Sequence, residues 1–247
     1  ADLQTLRDIL RPQLLPPDQG QRLLFDLEGG DQLLGLFDPP KDPEPADQQG
    51  AALVLVLHGL GGGSHQLGVR RLSINLQRAG FAVLRLNLRG AGPGRALARG
   101  TYAACTNRDL LRVLPQVREL ADGRPLLAVG FSLGGTNLLN AVLAKPLLDA
   151  LVCVSPSLDV GATSKKLDHW RNRLYQWWMV QRLVRATLAD PGGVSAHERQ
   201  ALQMVRSMGD FDAAITAPRW SYASVDDYYG STSVLPRLLA LPASLPP

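Results

Sequence analysis

The chain has 247 residues, 45% of them hydrophobic and 19% charged, a composition typical of one soluble domain with a large core. Its formal charge of +4 comes from arginines scattered along the sequence, which excludes a nucleic-acid footprint and gives only weak support for contact with an anionic membrane surface. Cys105 and Cys153 lie in no metal or redox spacing, so we expect no metal site and a reducing, cytoplasmic location.

The first predicted elements form a β-hairpin. Arg22 to Phe25 and Gln32 to Phe37 are strand-like runs on either side of the glycine turn Glu28 to Asp31. The next stretch, Pro39 to Gln49, is rich in proline, aspartate and glutamine, as surface connections are. Neither a signal-peptide pattern nor an apolar run of the roughly 18 residues that span a membrane is present.

From residue 51 onward, short apolar runs alternate with helix-like stretches. This is the pattern of strands buried on both faces of a parallel sheet and joined by crossover helices. It predicts a doubly wound α/β fold. The predicted strands are Ala52 to Leu57, Ala82 to Asn87, Leu126 to Val129 and Ala150 to Val154, and the predicted helices are Val69 to Ala79, Asn107 to Leu120 and Leu133 to Ala144.

Residues 160–223 interrupt this alternation with an aromatic, arginine-bearing helical stretch. We interpret it as a cap inserted into a single domain that comprises the whole chain. The aromatic side chains are expected to fill the seam between this helical layer and the sheet, or to cover an apolar substrate pocket; the two are compatible. These side chains are Trp170, Tyr175, Trp177 and Trp178.

The strongest motif is the sequence GFSLG at Gly130 to Gly134, between an apolar strand and a helix. A serine on such a tight strand-to-helix turn is held in a strained conformation with its Oγ exposed, and it needs small neighbours such as Gly130 and Gly134. The helix N-terminus places the N–H of Leu133 where an oxyanion would form. Ser132 is therefore the predicted nucleophile.

A glycine-rich loop, His58 to Ser64, directly follows the first predicted parallel strand. An oxyanion hole needs a second N–H from this loop, and glycines such as Gly59 allow close approach to a carbonyl. We expect Leu60 to supply that N–H. A phosphate-binding loop is the alternative, but no Lys-Ser or Lys-Thr follows and the spacing is not GxGxxG. His58 is expected to brace the loop rather than act as a base.

Seven stretches together resemble the YheT-like branch of the α/β-hydrolases, the group that includes the alpha/beta-hydrolase-domain lipases and esterases. The resemblance implies a cofactor-independent serine hydrolase of carboxylic esters, such as acylglycerols or other lipid esters. It places Asn87, Arg89 and Gly90 in a loop beside the pocket, without a catalytic role. The stretches are Leu3 to Leu6, His58 to Gly62, Asn87 to Gly90, Tyr102, Asp109-Leu110, Gly130 to Gly135 and Asp226 to Tyr229.

The partners of a catalytic serine are not evident. A serine needs a histidine base oriented by a carboxylate, and in this fold both follow late strands in the order serine, acid, histidine. No acid or histidine follows Tyr229, so we expect the C-terminal strands and the usual partners to be missing. Within the chain, Asp159 with His169 or His197 has the right order, although both histidines are typical of solvated surface.

Two functional hypotheses remain. The first is a serine ester hydrolase, of carboxylesterase or lipase type, that is inactive or weakly active as this chain. The second is a non-catalytic protein of the same fold that binds a hydrophobic ligand or a partner, because one scaffold hosts both roles.

Overall fold

The structure is a computed structural model that describes residues 15–41 and 51–240. The motif Leu3 to Leu6, residues 42–50 and residues 241–247 lie outside the described residues. The strands of the described part are β1 (Gln21–Asp26), β2 (Gln32–Asp38), β3 (Leu53–Leu57), β4 (Ala82–Leu86), β5 (Leu126–Phe131) and β6 (Ala150–Val154).

The helices complete the described architecture. None of those within residues 15–41 and 51–240 combines the length and hydropathy that crossing a bilayer requires. They are α1 (Leu67–Arg78), α2 (Asn107–Ala121), α3 (Leu133–Ala144), α4 (Val160–Leu167), α5 (Arg173–Leu188), α6 (Ala196–Met204), α7 (Met208–Phe211), α8 (Ala217–Arg219) and α9 (Val225–Thr232), with a π-helical turn at Asp212–Thr216 and short 3₁₀ turns at Glu28–Gly30, Gly92–Leu97, Trp170–Asn172 and Leu235–Ala240.

The strands form one mostly parallel sheet in the order β1-β2-β4-β3-β5-β6. β1 and β2 make the predicted antiparallel hairpin, β2 pairs antiparallel with β4, and β3 to β6 run parallel. In the register, Leu57 at the end of β3 lies opposite both Leu86 and Gly130. The carboxyl ends of the three central strands are therefore level, and the loops that follow them meet at one edge.

The central strands are covered on both faces, as the continuous apolar runs predict. In β3, Leu53, Leu55 and Leu57 belong to the main core, together with buried side chains of α2 and α3. The alternate residues Val54 and Val56 form a second cluster with residues of α1. This two-sided burial fixes the strand directions and with them the position of every loop at the carboxyl edge.

The outer strand β6 departs from the prediction of burial on both faces. Val152 and Val154, which share one face of the strand, are exposed. Within the described residues β6 is also an edge strand, since it pairs only with β5. A run of apolar residues predicts a strand, but it does not reveal how many neighbours that strand has.

Helices α4 to α8 form a cap with its own apolar core. Met179, Leu183, Leu202, Phe211 and Ile215 are among the residues buried within it. This arrangement corresponds to the helical insertion predicted for residues 160–223. The expectation that all its aromatic residues fill a seam is wrong, since Trp170 and Trp177 point to solvent.

Candidate active site

Ser132 occupies the sharp turn between β5 and α3. Its backbone has φ 50° and ψ −119°, a conformation that costs a residue with a side chain about 1–3 kcal/mol. The Ser132 N–H donates to the carbonyl of Val154 at 2.8 Å, which ties the turn to the end of β6. The serine itself is exposed. Local strain thus holds the hydroxyl away from the core at the N-terminus of a helix.

Neighbouring glycines allow this turn to form. A Cβ on Gly134 would lie 2.5 Å from the carbonyl oxygen of His58, and one on Gly130 would lie 2.5 Å from the Cα of Gly135. A Cβ on Gly59 would be 3.1 Å from the Cβ of Ser132. The glycines at these positions are therefore required by close backbone packing between the β3 loop and the serine turn.

Two backbone N–H groups near Ser132 are free to bind a ligand. Leu133 is the first residue of α3, where N–H groups have no partner within the helix. In the described part of the chain, neither Leu60 nor Leu133 donates its N–H to another protein group. Both residues line the same cavity as Ser132, as an oxyanion hole would require.

His58 is buried and has both ring nitrogens engaged. The Leu88 N–H donates to its Nε2 at 3.1 Å, so Nδ1 carries the proton and donates to the carbonyl of Gly59 at 2.8 Å. Burial lowers the pKa of His58 to about 4. The ring is therefore neutral at physiological pH and serves to hold the loop, as the sequence suggests, rather than to accept a proton from Ser132.

Tyr102 fixes the same loop from the other side. Its hydroxyl accepts the Gly62 N–H at 3.1 Å and donates to the carbonyl of Gly59 at 3.4 Å, and its ring packs edge-on against His58. Burial raises the pKa of Tyr102 to about 12, so the hydroxyl stays protonated. The loop that carries Leu60 is thus held by two buried side chains.

The polar residues that follow β4 have structural partners. Asn87 accepts the Ser64 N–H at 2.8 Å and donates to the carbonyl of Leu34 at 3.0 Å. Arg89 makes a bidentate pair with Asp109 and a further bond to Asp31. None of these side chains lines the cavity at Ser132. They brace the loop at Gly90, where φ is positive.

A cavity of about 460 Å³ opens above Ser132. The loop and turn that follow β3 and β5 contribute Leu60, Ser132 and Leu133 to its floor. The cap therefore lies over the carboxyl ends of the strands. Its lining is mostly apolar, as is typical of sites for small organic ligands. The cap contributes Val160, Leu167, Tyr175, Trp178, Met179, Leu183, Met208 and Phe211, among others.

Sequence reasoning missed an acidic residue that lines this cavity, Asp212. It lies in the π-helical turn and accepts hydrogen bonds from Thr216 at 2.7 Å and Tyr229 at 3.0 Å. Burial raises its pKa to about 6, although these two donors oppose the shift. In the sequence, Asp212 is an acidic residue directly after Phe211 within a helical stretch. Acidic residues at such positions are usually solvated, so the sequence does not indicate that this one is buried.

Asp212→Asn is expected to remove a pH-dependent loss of folding stability. Because the pKa rises from the usual 3.8 to about 6 on folding, the wild type loses about 3 kcal/mol of stability as pH increases through this window. The unfolding free energy of the variant relative to wild type should therefore rise between about pH 4 and pH 6 and then level off. Urea unfolding at several pH values measures this. Exposed Glu119→Gln is the charge-matched control, and a pH-independent difference for Asp212→Asn would contradict the account.

The structure does not bring the three candidate partners to Ser132. Asp159 caps α4 and accepts the Ala162 N–H at 2.8 Å, His169 lies at the N-terminus of a 3₁₀ turn, and His197 is in the first turn of α6. None of them lines the cavity. All four histidines of the chain lie in the described residues, and none hydrogen-bonds to Ser132 there. Their assignment as catalytic partners is not supported by this arrangement.

The two thiols form no disulfide. Burial raises the pKa of Cys105 to about 12 and that of Cys153 to about 11, so both are protonated at neutral pH. Within residues 15–41 and 51–240, no group of three or more histidine, cysteine, aspartate or glutamate side chains is arranged to hold a metal ion. Ser132 is thus the nucleophile candidate that the cavity presents.

Comparison with known proteins places this architecture in a family. The family model for the alpha/beta hydrolase fold matches residues 52–233. YheT from Escherichia coli is 30% identical over 96% of the chain and 70% of its own length. Phospholipase ABHD3 from Homo sapiens is 28% identical over 93% of the chain. The matched region covers 58% of that relative, so the chain spans a little over half of its length.

Structural similarity agrees on the fold. A thermostable carboxyl esterase from Bacillus coagulans, solved in complex with glycerol, superposes with a TM-score of 0.53 over 92% of this chain and 77% of its own. Its 16% sequence identity supports the shared fold alone. With the family match over most of the chain and the mostly parallel sheet, these similarities show that the chain belongs to the α/β-hydrolase family, in its YheT-like branch.

Proposed function

We propose that the chain carries the site of a serine hydrolase that cleaves carboxylic esters, with Ser132 as nucleophile. The observation that carries this proposal is the strained turn that exposes Ser132 at the N-terminus of α3, on the floor of an apolar cavity. The free N–H groups of Leu60 and Leu133 would bind the negative oxygen of the tetrahedral intermediate. Family membership supports ester hydrolysis at a general level, since sequence relatives are named as a phospholipase and a monoacylglycerol lipase.

In the proposed reaction, the Ser132 Oγ attacks the ester carbonyl carbon while its proton passes to a base. The bond between that carbon and the alkoxy oxygen then breaks, and the alcohol leaves with a proton, which gives an acyl-serine. Water attacks this second ester, releases the carboxylic acid and restores the hydroxyl. The four histidines as placed do not supply the base. We therefore expect this chain to be slow at the first step, in which Ser132 loses its proton and attacks the ester.

The cavity indicates the substrate class. Its apolar lining from the cap favours an acyl chain, whereas the polar groups at its floor are suited to a single ester carbonyl. We therefore propose esters with a hydrophobic acyl group, among them lipid esters. No cofactor takes part in this proposal.

A second candidate is a binding protein without catalysis. It is favoured by one observation, the absence of any histidine hydrogen-bonded to Ser132 in the described residues. In this case the cavity would hold a hydrophobic ligand, and the serine turn would be a structural remnant.

Hydrolysis of a short-chain aryl ester distinguishes the two. The 247-residue chain should turn over about 10⁴ to 10⁶ times more slowly than a complete serine hydrolase, because a serine without its base retains only binding and oxyanion stabilisation. If the native polypeptide extends beyond this sequence and supplies a base, it should be faster, and Ser132→Ala should abolish the activity in it.

Matched variants of the cap histidines complete this assay. Substantial activity of the 247-residue chain that is lost in Ser132→Ala and also in His169→Ala or His197→Ala would contradict the site described above. It would show that a histidine of the cap reaches Ser132. Activity that persists in Ser132→Ala, or its absence from the full native polypeptide, would instead support the binding protein.

A further inference from the structure

The outer surface of the cap carries a row of large apolar side chains that contact solvent. We call it the aromatic ridge, and the exposed fractions include 73% for Trp170, 84% for Leu174 and 61% for Trp177. We propose that the aromatic ridge is a docking surface for the face of an anionic phospholipid bilayer. Its members are Trp170, Leu174, Tyr175, Trp177 and Trp178.

The ridge is on the side of α5 where polar residues are expected. The inner side of this helix packs in the cap core through Met179, Val180 and Leu183, so its outer side should be polar for a helix surrounded by water. Instead, Leu174 and Trp177 protrude there together with Trp170 from the preceding turn. Clustered exposed apolar side chains of this size mark an interaction surface rather than ordinary surface.

Its charge is complementary to anionic lipid headgroups. Residues 165–185 contain six basic side chains and one acidic one, Asp168. Tryptophan and tyrosine together with arginine and lysine are the residues that favour the interface of a membrane, and anionic headgroups attract a basic segment. The basic residues are Lys165, Lys166, Arg171, Arg173, Arg182 and Arg185.

Two cation–π contacts join these charges to the ridge. The guanidinium of Arg182 lies 4.9 Å from the ring centre of Trp178, and that of Arg171 lies 5.9 Å from the ring centre of Trp170. Arg182 is half-buried beside Gly61, whereas Arg171 is exposed and adds a positive charge directly to the apolar surface of the ridge. A bilayer interface accepts separate protruding side chains, whereas a protein partner would need a matching set of pockets.

The ridge continues into the cavity. Tyr175 and Trp178 belong to both, since they line the space above Ser132. A lipid ester could pass from a docked bilayer into the cavity along these two side chains. This transfer of a lipid rests on the proposed function, because it makes the membrane the source of the substrate of Ser132. Docking itself does not depend on catalysis.

Vesicle sedimentation tests the docking surface. The wild-type chain should co-sediment with vesicles of phosphatidylcholine and phosphatidylglycerol, and more weakly with phosphatidylcholine alone. The combined variant Trp170→Ser, Leu174→Ser and Trp177→Ser should lose at least about tenfold in affinity for the anionic vesicles. Met204→Ser with Leu235→Ser removes exposed apolar side chains elsewhere and should bind like the wild type. Thermal melting of each variant verifies that it is folded.

The charges are tested separately with Arg171→Gln and Arg173→Gln, which should weaken binding to anionic vesicles and leave binding to neutral ones unchanged. Wild-type protein that does not sediment with anionic vesicles, or a folded ridge variant that binds as well as wild type, would overturn the proposal. Self-association lost in the ridge variant, without vesicle binding, would assign the ridge to a protein contact. Vesicle binding together with no fluorophosphonate labelling of Ser132 in the full native polypeptide would leave docking intact and refute the proposed function instead.

Discussion

Gly134→Ala is expected to destabilise the fold by about 3–5 kcal/mol, at the severe end of single substitutions. The new Cβ would lie 2.5 Å from the carbonyl oxygen of His58 and 2.9 Å from that of Leu57. Both atoms belong to the backbone at the end of the central strand β3, so no flexible side chain can move aside. The helix α3 would have to separate from the sheet.

Gly230→Ala is the matched control for this substitution. Gly230 also lies in a helix, α9, but its added Cβ would meet no atom within 4 Å. Alanine should therefore be neutral or stabilise by about 0.5–1 kcal/mol through its higher helix propensity. Urea unfolding of the two variants measures the contrast. Equal unfolding free energies would contradict the close packing described for the serine turn.

The parallel sheet and the serine turn could be predicted because their signals are local. A strand buried on both faces is mainly apolar, as β3 is at all of its positions. The bounds of β6 and α3 are those that the sequence predicts. The turn at Ser132 is specified by residues within a few positions of it. The same holds for the loop at His58, where histidine and glycine report burial and close backbone approach.

The remaining features depend on partners that are distant in the sequence. The number of neighbours of β6, and the side of α5 that faces outward, are set by packing that no short pattern encodes. Asp212 is a buried carboxyl, and one of its hydrogen bonds comes from Tyr229, which lies 17 residues further along the chain. Asp159 illustrates the opposite error, since its place after a core strand suggests catalysis, whereas its side chain caps a helix.

Ser132→Ala is expected to eliminate covalent labelling by a fluorophosphonate completely. The Ser132 Oγ would attack phosphorus and pass its proton to a base, fluoride would leave, and the phosphoryl oxygen would accept hydrogen bonds from the N–H groups of Leu60 and Leu133. Alanine has no nucleophilic atom, so no slower route remains. The change removes a single exposed oxygen, and the variant should melt at the temperature of the wild type.

Ser155 provides a stringent control, because it is also an exposed serine with positive φ directly after a parallel strand. It has no helix N-terminus behind it, and it does not line the cavity. The decisive measurement is peptide mapping by mass spectrometry after fluorophosphonate treatment of the full native polypeptide that carries this sequence. We predict one adduct, on Ser132, that is absent in Ser132→Ala and unchanged in Ser155→Ala. An adduct on any other residue, labelling that survives in Ser132→Ala, or no adduct at all would contradict the assignment of Ser132 as nucleophile.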